Sequence, residues 1–67
     1  MNLNTISGMI YALTNNDNER TLYIMTFNRL FVVKNSDLHV SDGFIKGKTD
    51  CGDSFVIPFD KIEYITA

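Results

Sequence analysis

The sequence predicts an all-β domain, a single small barrel of five or six short strands spanning residues 1–67. Three observations predict it. Ile, Val, Thr, Phe and Tyr supply 25 of the 67 residues, against two alanines, so strand is favoured over helix. Seven asparagines and four glycines provide turn residues. Turn signals recur about every 8–12 residues, too densely for long helices.

The segment 3–13 admits two readings. Ile6, Gly8, Ile10 and Ala12 alternate with Ser7, Met9, Tyr11 and Leu13, as in a strand. Leu3, Ile6, Ile10 and Leu13 also fall near helical spacing, which leaves a short N-terminal helix as the second reading. Gly8 and the lack of a strong capping box favour the strand. Thr14 to Glu19, with Asn15, Asn16, Asp17 and Asn18, is a polar loop.

A hairpin follows. Thr21–Phe27 and Leu30–Lys34 flank Asn28-Arg29. Asn28 suits the positive φ of a type I′ turn, whereas Arg29 is a poor substitute for glycine and points to a longer turn. Leu22 and Ile24 lie on one face of the first strand, and Tyr23, Met25 and Phe27 on the other. A half-exposed sheet would show one polar face. Two apolar faces imply a barrel interior plus an interface, and Tyr23, Met25, Phe27, Phe31 and Val33 are the interface candidates. A tightly curled barrel whose outer face is covered by loops is the other explanation.

Asn35-Ser36-Asp37 reads as a turn and Leu38–Val40 as a short strand. Ser41-Asp42-Gly43 turns the chain into Phe44-Ile45-Lys46-Gly47-Lys48, where Gly47 suits a sharp bend. Asp50-Cys51-Gly52-Asp53 is a tight polar turn. Ser54–Pro58 is a strand ending at a residue that cannot donate to a ladder. Phe59-Asp60-Lys61 fits one short turn, and Ile62–Thr66 is the last strand.

Composition sets the outer limits. At 45% hydrophobic and 21% charged, the chain is not a disordered tail. The net charge of −2 argues against a general nucleic-acid-binding surface, although a ring of copies concentrates local charge. One cysteine and one histidine provide neither an internal disulfide nor a zinc site, and no metal or cofactor is expected. A domain this small buries only about 60% of its unfolded surface. Without disulfide or metal, self-association is the stabilising device left. No targeting segment or membrane span is visible. A lone cysteine suits a reducing compartment, so a cytoplasmic protein is expected. Small size and asparagine richness fit an accessory protein of a virus or an AT-rich bacterium.

Phe55-Val56-Ile57-Pro58-Phe59-Asp60-Lys61-Ile62-Glu63-Tyr64-Ile65 resembles the end of SH3-like and Sm-like small barrels: a strand, an apolar-Pro step, one short turn, then an apolar strand. Asp42-Gly43 followed by Phe44-Ile45-Lys46-Gly47 is similar to the DG-x-x-x-G rhythm of Sm-like chains. The two stretches cover about a third of the sequence. The resemblance implies a small barrel and, for Sm-like chains, a ring. It does not extend to uridine recognition: Asp50 and Asp53 flank Cys51-Gly52 with no Asn, and the basic-Gly pair near the last strand is missing. SH3-type peptide recognition requires an aromatic-lined groove, for which Tyr11, Tyr23 and Tyr64 are available.

Chemistry-bearing residues are few. His39 lies in a strand and reads as a solvated or interface histidine ahead of a general base. Cys51 sits between Asp50 and Asp53, which raise rather than lower a thiol pKa, so it reads as a bystander. The two aspartates lack an EF-hand spacing and suit turn formation. Phe44, Lys46 and Lys48 share one strand face as a basic-aromatic stripe, a candidate ligand-binding site. An edge strand carrying lysines against aggregation is the plainer explanation.

The expectation is therefore a non-enzymatic binding and assembly module with no catalytic residues, which self-associates and engages a protein partner. The alternative is an Sm-like ring that binds single-stranded nucleic acid or a phosphorylated nucleotide-type ligand through Phe44, Lys46 and Lys48. An enzyme ranks last, because it needs His39, Cys51 and the aspartates to converge.

Overall fold

A computed structural model describes residues 2–67. One helix, α1 (Leu3–Thr14), precedes six strands: β1 (Thr21–Thr26), β2 (Leu30–Lys34), β3 (Leu38–Ser41), β4 (Phe44–Lys48), β5 (Ser54–Pro58) and β6 (Ile62–Thr66). Single 3₁₀ turns, Asn35–Asp37 and Phe59–Lys61, join β2 to β3 and β5 to β6. The domain is mostly β rather than all-β.

The helix corrects the strand reading of residues 3–13. Asn2 caps it, its side-chain oxygen accepting from the Thr5 N–H at 2.9 Å. Asn15 closes it in the left-handed region at φ 51°, its N–H donating to the Tyr11 carbonyl at 2.7 Å. A capping box needs Glu or Gln three residues after the cap, and Thr5 stands there, so the sequence signal was weak. Gly8 costs the helix about 1 kcal/mol. Burying Ile6 and Ile10 outweighs that, at roughly 1.5–3 kcal/mol for each side chain. Thr14 spends its hydroxyl locally, donating to the Ile10 carbonyl at 2.8 Å.

The strands form two three-stranded antiparallel sheets, ordered β2-β1-β6 and β3-β4-β5. They do not close into the expected barrel. Both crossings between the sheets, β2 to β3 and β5 to β6, pass through a 3₁₀ turn, which interrupts the strand. A separate backbone bond tethers the sheets: the Asp50 N–H donates to the Val32 carbonyl at 2.9 Å. The Phe59 N–H donates to the Gly43 carbonyl at 3.0 Å, extending the β4–β5 ladder past Phe44↔Pro58.

The core lies between the sheets and under α1. The first sheet contributes Leu22, Ile24, Phe31, Val33, Ile62 and Ile65; the second contributes Ile45, Phe55 and Ile57. Phe31 and Phe55 meet across the gap with ring centroids 5.1 Å apart. On β6 the ladder steps from Thr26↔Ile62 to Met25↔Tyr64, leaving Glu63 unpaired as a bulge. The bulge returns Ile65 to the core while Tyr64 faces out.

The β1–β2 turn differs from the expected type I′ form. Asn28 has no positive φ. Nor is the turn longer: the Thr26 N–H and hydroxyl both donate to the Arg29 carbonyl, at 2.9 and 3.0 Å, so it closes around Phe27-Asn28, one residue before the expected Asn28-Arg29.

Candidate functional site

Two sheet faces point to solvent, and they differ in chemistry. On the β2-β1-β6 sheet, strand register places Leu30 and Tyr64 on either side of Met25. The next outward row sets Val32 beside Tyr23 and Thr66. Tyr23, Leu30 and Tyr64 are 38%, 45% and 49% exposed. A wet face of an antiparallel sheet is ordinarily polar; the centre of this one is aliphatic and aromatic. Charge enters at its end with Lys34, which pairs with Glu19 at 3.2 Å.

This arrangement corrects two of the interface candidates. Phe31 and Val33 pair with Ile24 and Leu22 and lie in the core. Tyr23 and Met25 do face out, and Phe27, in the turn, is 90% exposed. The residues that complete the outward patch are Leu30, Val32 and Tyr64. Alternation along β2 separates Leu30 and Val32 from Phe31 and Val33, but only the register across the turn shows which pair faces in. Of the tyrosines, Tyr11 stands on α1, apart from this sheet.

The second face belongs to β3-β4-β5. Ile45 points into the core, so Phe44, Lys46 and Lys48 share the outer side of β4. Register sets His39 and Val56 on either side of Lys46, Ser54 beside Lys48, and Ser41 and Pro58 on either side of Phe44. A shallow groove of about 410 Å³ crosses this face, lined by His39, Lys46, Lys48, Ser54 and Val56, with Asp37 its one acidic residue. Among the described residues Lys46 and Lys48 enter no ion pair, whereas Arg29 pairs with Asp53 at 3.8 Å. The sequence singled out Phe44, Lys46 and Lys48; His39 and Val56 join them only through pairing.

A second hollow, of about 440 Å³, lies beside the β1–β2 turn between Phe27, Phe31, Val56, Pro58 and Lys61. Arg29 caps Phe31 there, its guanidinium carbon 4.5 Å from the ring centroid.

Cys51 is exposed in the β4–β5 turn and does not line the groove that holds His39. Its pKa is raised above the ordinary thiol value. A side-chain hydrogen bond with Asp50 holds the proton on sulfur, and the negative charges of Asp50 and Asp53 act in the same direction. That is the opposite of what a nucleophile requires. Among the described residues, no three His, Cys, Asp or Glu side chains gather as a metal site would demand. Among the described residues, no helix is long and apolar enough to cross a membrane.

Comparison with family models, curated proteins and solved structures finds no match to this chain.

Proposed function

We propose that this protein is a non-enzymatic binding and assembly module that self-associates through the outer face of its β2-β1-β6 sheet and engages a protein partner as an assembled unit. The observation that carries the reading is the row Leu30–Met25–Tyr64, flanked by Tyr23 and Val32. An uncharged aromatic and aliphatic centre with charge at its margin has the anatomy of an interface. Apart from Lys34 and the exposed bulge residue Glu63 at its margins, the patch offers no charge to orient an unlike partner. A second copy, packed about a two-fold axis, matches it with the same apolar groups. The raised thiol of Cys51 fits a role without covalent chemistry, and its exposure without a disulfide partner fits a reducing, cytoplasmic compartment. The ending of the fold supports kinship with SH3-like and Sm-like small barrels: β5 stops at Pro58, a 3₁₀ turn follows, and β6 completes the first sheet.

Native mass spectrometry with sedimentation velocity tests the reading. The wild-type chain is expected as a discrete oligomer, and the double variant Met25→Lys with Tyr64→Lys as a folded monomer. A wild-type monomer at the highest soluble concentration overturns it, as does a folded double variant that keeps the wild-type mass.

A further inference from the structure

We propose that the outer face of the β3-β4-β5 sheet binds single-stranded nucleic acid, with Lys46 and Lys48 on successive phosphates and Phe44 stacked on a base. This goes beyond self-association and rests on the opposite sheet. Lys46 and Lys48 are two residues apart on β4, which places them about 7 Å apart along the strand. That repeat is comparable to the separation of neighbouring phosphates in an extended single strand. Neighbouring phosphates within one duplex strand are spaced similarly; Phe44 is what favours the single strand, because a base stacks on a side chain only when it is out of a duplex.

The neighbours favour the same ligand. His39 stands directly across the ladder from Lys46. Its ring N–H adds a hydrogen-bond donor for an anion beside that lysine. Neither lysine has an acidic partner among the described residues, although the chain carries more acidic than basic side chains. Half-buried Phe44 continues the face beyond Lys46 beside Pro58, and Val56 is 65% exposed next to the lysine. An aromatic ring with apolar flanks next to paired cations is the combination that holds bases and backbone together without base-specific hydrogen bonds. An acidic peptide would use the lysines but leave Phe44, Pro58 and Val56 without a matching planar group. Asp37 at the groove and the net charge of −2 oppose binding, so the interaction belongs to low ionic strength or to an assembly that displays several copies of the face.

Fluorescence anisotropy with a labelled oligothymidylate, titrated over a range of salt, is the test. Each phosphate contact contributes about 0.7 to the slope of log affinity against log salt for a single strand. The double variant Lys46→Gln with Lys48→Gln is therefore expected to lower that slope by about 1.4. Lys61→Gln, outside this groove, is expected to leave it unchanged. Phe44→Leu is expected to weaken binding at constant slope, because it removes stacking and keeps charge. Circular dichroism verifies that each variant is folded. Three results overturn the proposal: no binding of the oligonucleotide by wild type at low salt, an unchanged slope in the double lysine variant, or full displacement by ATP at equal nucleotide concentration, which would identify a mononucleotide site.

Discussion

The carbonyl oxygen of Asp37 occupies the space that a Cβ on Gly47 would need. Leu38 pairs with Gly47 in the β3–β4 ladder, and the 3₁₀ turn Asn35–Asp37 passes over β4 just before that pair forms. The obstacle is backbone on both sides, so no side chain can swing away. Gly47→Ala is expected to destabilise the fold by about 1–3 kcal/mol, the usual cost of overpacking. In a domain of this size that is a drop in Tm of roughly 4–8 °C per kcal/mol. An unchanged melting curve would show that the turn and β4 are not in close contact.

Gly8 presents the reverse case. It lies within α1, and an added Cβ there meets nothing within 4 Å. Gly8→Ala removes backbone freedom from the unfolded chain and adds no clash. A gain of about 0.5–1 kcal/mol is expected, read as a higher urea midpoint with the same slope. Loss of stability would mean that residues 3–14 are not helical in solution.

Strand parity can be tested with two neighbours on β5. Ile57 is 4% exposed and packs in the core, whereas Val56 is 65% exposed on the opposite face. Ile57→Ala is expected to cost about 2–5 kcal/mol, enough to unfold much of so small a domain. Val56→Ala should remain within about 0.5 kcal/mol of wild type. Equal costs would place the wrong face of β5 inward.

Asp50 is the chief cause of the raised Cys51 pKa. Because the raised pKa depends first on the Asp50 hydrogen bond and charge, Asp50→Asn is expected to lower it and enlarge the thiolate fraction near pH 8. Iodoacetamide should then alkylate the variant faster than wild type at pH 8, with the two rates converging once the pH exceeds both pKa values. Identical rates throughout would remove Asp50 as the cause. The same shift sets a sign for stability. A pKa raised in the folded chain means the contribution is present at lower pH and is lost as pH rises through the folded value.

Much of the β structure was legible in local sequence. The hairpin arms, the β4, β5 and β6 segments and the short turn after Pro58 fall where alternation, β-branched residues and turn residues place them. Gly43 and Gly52 take positive φ values of 94° and 91° in the turns that their sequences marked. The basic-aromatic stripe was legible for the same reason. Phe44, Lys46 and Lys48 belong to one strand, and a period of two fixes their common side.

What the sequence determined by itself, then, was which segments extend, where they turn and which residues share a side within a strand, because those properties depend on neighbours a few positions away. The tertiary structure decided the rest. It made residues 3–14 a helix, since Ile6 and Ile10 have a core to enter only when the sheets are in place. It sent Phe31 and Val33 inward and Leu30 and Val32 outward, since a turn one residue longer or shorter reverses every side chain after it. It kept the two sheets apart, since each crossing is coiled into a 3₁₀ turn, and it brought His39 and Val56 to Lys46. Register across strands joins residues distant in the chain, and no local pattern encodes it.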